Sequence, residues 1–532
     1  MKTLFAPGRI RLVIAFFLLT SVSFSQTIFQ KAYSHTAYEN GTTALQTSDG
    51  GYLVGGTSGS GQFGPDKIFL VKTDAAGNIS WTKNYGGSVS EYLASIIPTS
   101  DGGYAMIGTT YSFNTQPYGN IYLLKIDASG NLQWTKHYGG NGSDYGYAIQ
   151  QTTDGGFIIG GLTSTGSAGG YDYYILKTDS AGTPSWSTSI GGASNDEGYD
   201  IVQTSDGGYV IAGSASSFSF QMIPYHSFML CKLNASGTVL WSKIYSAGGY
   251  NLCYAMDQTS DGGFVMAGWT DGSGQGLNDV FVVKTDSAGN FSWGKVFGGD
   301  SLDIANDIRQ TPNGGYIVAG YTKSYGAGNY DAYLLRLDAN GDHLWSTVYG
   351  GPGSDMAKEI KLHSDGGYLV TGNTFSFGAG NSDIYLVKTD ANGSTGCNED
   401  DAFTVQTNPN IDDTTVSPII SGVYLGIPVT TTVGTGGTVT SLCSTAGIEN
   451  GEGNENTISV FPNPAGNTIV ISNAERDIES LGIYNALGQK ITALNTMQTA
   501  EIIMDISSWI SGVYFIRAVK AGTIVNIRFI KE

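Results

Sequence analysis

A turn motif of Asp-Gly-Gly, an aromatic residue and an apolar run returns seven times, and nothing else in the 532-residue chain limits its fold so tightly. The first residue of the motif is Asp49, Asp101, Asp154, Asp206, Asp261, Asn313 or Asp365, at spacings of 52, 53, 52, 55, 52 and 52 residues. A period of this length marks a repeated supersecondary unit. A second signature follows within each period, and its tryptophan falls at Trp81, Trp134, Trp186, Trp241, Trp293 and Trp345. Six tryptophans serve seven turns. The missing position lies ahead of the first repeat, where Phe29 of IFQKAY stands 20 residues before Asp49, as Trp81 stands 20 before Asp101.

Turn residues divide each period into four short strands, in the first copy about 42–48, 51–57, 67–74 and 79–85. With 77 glycines, 12% aromatic and 13% charged residues, the composition favours strands and tight turns. Four antiparallel strands repeated seven times predict an all-β chain in which residues 26–394 form a seven-bladed β-propeller of four-stranded blades. An open stack of the same units is the competing arrangement. The seventh copy ends at IYLVKTDANG with no tryptophan strand, so residues 28–33 are expected to pair with 383–390 and close the ring.

The Asp-Gly-Gly turns read as two-residue hairpins of type I′, and the DAAGN-like turns as type I turns with a left-handed glycine. Ten residues before each Asp-Gly-Gly or Asn-Gly-Gly stands Glu39, Glu91, Asp144, Asp196, Asn251, Asp303 or Asp355. In a closed ring the six acids would border the central channel, where they are weak candidates for a Ca²⁺ site. The competing role is to cap local backbone N–H groups. No other cofactor ligands are recognisable. The TDAAGNISW and IDASGNLQW segments resemble the repeats of quinoprotein-type propellers over residues 28–394, in strand order and in this turn.

Loops between the second and third strands differ from copy to copy. They offer ligand-binding candidates at Tyr111, Phe113, Tyr118, Phe218, Phe220, Tyr225, His226, Trp269, Tyr325, Tyr330, Phe375 and Phe377, and the fourth copy, Phe218 to His226, departs furthest. Exposed aromatics beside carboxylates suit a glycan- or protein-binding face, as in adhesion. No H-E-x-x-H, C-x-x-C, G-x-S-x-G or P-loop motif is present, so no catalytic residue is assigned. The alternative function is a secreted polymer-degrading hydrolase that uses the propeller face. A net charge of −19 argues against nucleic acid as a partner.

The N-terminus has the pattern of a secretory signal over 1–25: Lys2, Arg9 and Arg11, an apolar run from Leu12 to Phe24, and cleavage between Ser25 and Gln26. No later stretch is long and apolar enough to span a membrane as a helix. Cys397 and Cys443 bracket a β-rich connector, 395–446, and are a disulfide candidate, whereas Cys231 and Cys253 lie in predicted strands. A linker at 447–456 precedes a small β-sandwich at 457–532. Its segments ISVFPNPAGNTIVIS, LGIYNALGQKI and GVYFIRAVKAGTIVNIRFIKE resemble the C-terminal sorting domain of the type IX secretion system of Bacteroidetes. The resemblance implies outer-membrane export by that machinery, and a secreted or cell-surface product.

Overall fold

The computed structural model describes residues 27–445 and 459–531, apart from 36–37, 60–64, 114–116, 219–224, 380, 418, 422–426, 429–431 and 435–437 in the first stretch and 462–465, 473–477, 486–489, 498–500 and 521–522 in the second. The signal sequence with Ser25 and Gln26, Phe220, and the whole of the 447–456 linker fall outside the described residues. Those described are all-β, with strands and turns and no helix.

The repeats build seven antiparallel sheets in a propeller-like array. Sheet 1 consists of Tyr38–Gln46, Tyr52–Gly59, Lys67–Thr73 and Ile79–Gly86, and sheets 2 to 6 repeat it. Sheet 7 takes its first three strands from Asp355–Leu362, Tyr368–Thr374 and Asp383–Lys388 and its fourth from Ile28–Ser34, with Phe29 opposite Lys388. The first strand of each sheet packs on the sheet before it, and that of sheet 1 packs on sheet 7. The array therefore returns on itself.

Two repeated contacts join neighbouring sheets. Trp81 of sheet 1 lies over Gly130 of sheet 2, at 2.7 Å from where a Cβ would stand, and Trp134 covers Gly182 in the same way. Phe29 occupies this slot over Gly77, at 3.0 Å. Only glycine suits the covered position, because it is left-handed, φ 75° at Gly130 and 74° at Gly77. Burial follows the alternation of a strand covered on both faces: Leu53, Val54, Phe69, Leu70 and Val71 of sheet 1 are all fully buried.

Two features differ from expectation. Each sheet has five strands, not four, because the connector is not a separate unit. Its short strands Glu399–Asp401, Val405–Thr407, Asp412–Thr415, Ile419–Ser421, Ile427–Pro428, Thr432–Gly434 and Thr438–Thr445 pair with the outer edges of sheets 6, 5, 4, 3, 2, 1 and 7 in turn. The connector thus runs backwards round the whole array as a belt and covers seven edges that would otherwise present unpaired backbone groups. The Asp-Gly-Gly turns are also not type I′. Among their central residues only the glycine has positive φ, 83° at Gly50, and Gly50 N–H donates to Thr47 O at 2.9 Å. This is a type I turn followed by a left-handed glycine.

The opening Asp is a clamp. Asp49 accepts Gly51 N–H at 3.1 Å and pairs with Lys72 at 2.8 Å, and Lys125, Lys177, Lys232, Lys284 and Lys388 hold the equivalent acids. Hydrogen bonding to Lys72, then to Thr47, holds the Asp49 carboxyl down at about 2.

The second compact unit, 448–532, has a three-stranded sheet (Ser459–Phe461, Thr468–Ser472, Glu501–Asp505) and a four-stranded one (Ile478–Asn485, Lys490–Met497, Gly512–Lys520, Thr523–Lys531). Ile469 and Ile471 of the first pack with Leu481, Ile483, Tyr514 and Ile516 of the second, so the unit is a small sandwich.

Candidate functional site

Each of the seven first strands contacts the first strand of the next sheet, and that of sheet 7 contacts that of sheet 1. Each carries a β-bulge at the same place, where the register with the second strand shifts by one residue. A bulge re-aims the extra side chain and strengthens the local twist. The bulged residues are Thr42, Ala94, Tyr147, Tyr199, Tyr254, Asn306 and Lys358, all half-buried. The backbone is repeated, but the side chains it presents are not.

Sheets 3, 4 and 5 contribute a continuous aromatic wall. The Tyr147 and Tyr199 rings are stacked with centroids 5.0 Å apart, and Tyr199 meets Tyr254 edge-on at 5.3 Å. Tyr199 Oη donates to Glu197 Oε2 at 2.5 Å, and Trp269 Nε1 donates to Tyr254 Oη at 3.3 Å. Burial, and then Glu197, pushes the Tyr147 hydroxyl above its usual range, so it stays protonated at any physiological pH. Tyr111 and Tyr145 add a hydroxyl pair at 3.3 Å, and Tyr330 packs edge-on against Tyr321 at 5.4 Å.

The far side differs. Sheets 1 and 2 present only Thr42 and Ala94, sheet 6 presents Asn306, and sheet 7 presents Lys358. Lys358 Nζ sits 5.6 Å from the Tyr321 ring centroid, and burial lowers its pKa. Further along the same strands, Arg309 reaches Asp307 at 3.0 Å and Met256 O at 3.2 Å, while Lys361 pairs with Glu359 at 2.8 Å. Asp200, Asp307 and Glu359 accept the backbone N–H of Met256, Ile360 and Ala44 in the next strand round, at 3.1, 2.9 and 2.9 Å. This charged layer stitches the first strands together.

The repeated acids are held by nearby loops. Asp144, Asp196, Asp303 and Asp355 are buried and accept the N–H of Gly140, Gly192, Gly299 and Gly351 at 2.7–2.9 Å, together with Ser or Thr hydroxyls of the neighbouring loop. Glu91 pairs with Lys67 at 3.1 Å, and Glu39 accepts Ser58 Oγ at 3.1 Å. Each holds its own loop. Among the described residues no group of three or more His, Cys, Asp or Glu is placed to hold a metal.

The loop aromatics divide by position. Phe113, Phe218 and Phe377 pack inward on core clusters, and Tyr325 donates to the carbonyls of Gly298 and Phe403, anchoring the belt. Tyr225 and His226 pack on Tyr250. Tyr118 and Phe375 are exposed, Trp269 meets Tyr254 of the aromatic wall, and Tyr111 and Tyr330 meet Tyr145 and Tyr321. The signal missed in the sequence is the third residue after each repeated acid, where the β-bulge recurs and the residue type changes.

Cys397 is disulfide-bonded, and Cys231 and Cys253 are buried free thiols. The side chain of Cys443 lies outside the described residues, but its backbone pairs with Gln30, whose amide also donates to Cys397 O.

Residues 459–532 match the family described as the secretion system C-terminal sorting domain. The chain is secreted or carried to the cell surface. Its sorting domain implies contact with the secretion machinery. The regulatory protein FlaEY of Caulobacter vibrioides is 24% identical over 341 residues, covering 58% of this chain and 32% of that protein. This chain thus spans less than a third of that curated relative. Among solved structures, PorZ of Porphyromonas gingivalis, described as an essential bacterial surface component of the type-IX secretion system, is 13% identical with a TM-score of 0.39, covering 94% of this chain and 60% of PorZ. Sqt1 of Chaetomium thermophilum is 9% identical with a TM-score of 0.39, covering 68% of this chain and all of that one.

Proposed function

We propose that this chain is a type IX-exported Bacteroidetes surface protein whose closed seven-bladed β-propeller is a binding module for adhesion, with its ligand seated at the channel mouth. The observation that carries this reading is the row of seven equivalent bulges. A structural device repeats its side chain with its backbone, as the Lys–Asp clamps do. Here one backbone device displays five kinds of side chain at seven positions, three of them contiguous tyrosines. Half-buried tyrosines with fixed hydroxyls supply broad apolar faces at little conformational cost, as a binding site for a glycan or protein segment requires. The signal peptide ending at Ser25 belongs to the same reading, since export to the outer membrane first requires passage of the inner one.

A glycan array probed with the mature chain tests it. Wild-type protein should bind a restricted set of glycans, and the Tyr147→Ala, Tyr199→Ala, Tyr254→Ala triple variant should lose that binding while keeping its melting temperature within a few degrees. Binding undiminished in the triple variant would place the ligand elsewhere.

A further inference from the structure

Lys358 is a part-buried lysine in an acidic chain, whereas Lys323, which likewise has only a ring contact, is exposed. Lys67, Lys72, Lys125, Lys177, Lys232, Lys284, Lys295, Lys361 and Lys388 all have a carboxylate within 3.1 Å. Lys358 has neither an ion pair nor a hydrogen bond among the described residues, although the chain carries a net charge of −19. It projects from the bulge of the seventh first strand, across the ring from the bulges of sheets 3 and 4 that carry Tyr147 and Tyr199. A part-buried ammonium without a counter-charge is costly unless a ligand supplies one. Among the described residues it lies against the Tyr321 ring, and burial lowers its pKa.

The equivalent bulges of the other first strands offer ring faces and hydrogen-bonding groups. Tyr147 and Tyr199 are stacked, Asn306 is the neighbouring bulge, and Glu197 is an acceptor on the tyrosine side. Aromatic faces accept the C–H faces of pyranose rings, an amide and a carboxylate serve hydroxyls, and a lone ammonium fits one carboxylate. We infer that the channel mouth binds an acidic carbohydrate, with a sugar ring against the Tyr147–Tyr199 wall and its carboxylate on Lys358. The inference rests on the channel-mouth reading and narrows it to uronic- or sialic-acid-type sugars.

Calorimetric titration of the mature chain with trigalacturonic acid, sialyllactose and neutral galactotriose tests it. At least one acidic sugar should bind about tenfold or more tightly than galactotriose, and Lys358→Met should remove that preference, the size of effect a charge-assisted hydrogen bond gives. Loss of binding in Tyr199→Ala but not in Lys358→Met, with neutral and acidic sugars equal, overturns the acidic class and keeps the channel site. Binding insensitive to both substitutions overturns both, and failure of the folded protein to bind either acidic sugar overturns the inference.

Discussion

Tyr33 Oη donates to the carbonyl of Gly77 at 2.8 Å, repeating between sheets 7 and 1 the bond that Tyr85 makes to Gly130 at 2.6 Å and Tyr138 to Gly182 at 2.7 Å. The joint between the two ends of the repeat array is therefore built like an internal one. Phe29 stands beside it in the slot that tryptophan fills elsewhere. Phe29→Ala should cost about 3–5 kcal/mol in chemical denaturation, because it opens a fully buried cavity at the joint. Tyr33→Phe should cost only about 1 kcal/mol, with its lost hydrogen bond. Equal, negligible losses would mean that the joint does not hold the ring.

The belt gives the disulfide a specific role. We assign Cys443 as the partner of Cys397, since both lie against Gln30 and the other two cysteines are free. The bridge would join the two ends of a belt that touches all seven sheets. Reduction, or Cys397→Ser, should lower stability by about 2–4 kcal/mol. Peptide mapping of the non-reduced protein should find 397 linked to 443. A different linkage would refute the assignment.

Stability should peak at mildly acidic pH. Buried carboxyls face one another between sheets: Asp279 Oδ1 and Asp303 Oδ2 both crowd the position where Gly298 lacks a Cβ. Burial, and then Asp303, pushes the Asp279 carboxyl up to about 7, and burial is the leading cause of the rise to about 6 at Asp196 and at Asp331. Raised carboxyls stabilise fully below their unfolded value of about 4, and that contribution is lost as pH rises towards 6–7. The clamp acids act in the opposite sense. Asp49, held at about 2, contributes above about 4 and loses its contribution as pH falls towards 2. Thermal melts should therefore give a maximum near about pH 4 and a decline towards about pH 6–7, and Asp279→Asn should flatten that alkaline limb. A melting temperature that rises from pH 6 to 8 would contradict the buried pairing.

The ring-closing strand was legible because every copy reports on every other: a missing tryptophan in one period stands out against six present. The belt was not, since strands such as Ile427–Pro428 and Thr432–Gly434 are too short to show a period and exist only through the edges they cover. Turn chemistry misled at Asp49-Gly50, where Asp-Gly favours type I′ but the Thr47 and Lys72 contacts to Asp49 hold a type I turn. The repeated acids were read in register but not in direction. Their carboxylates turn to nearby loops, and the bulge falls three places on, which no alternation pattern identifies.

Hydroxyl-radical footprinting of the mature chain, with and without a saturating array-selected glycan, tests the channel-mouth site most directly. The expected result is protection of Tyr147, Tyr199 and Tyr254, with Tyr104 and Tyr209 beside the Asp-Gly-Gly turns unchanged. Protection confined to the turn face, with the three channel tyrosines as reactive as before, would contradict it.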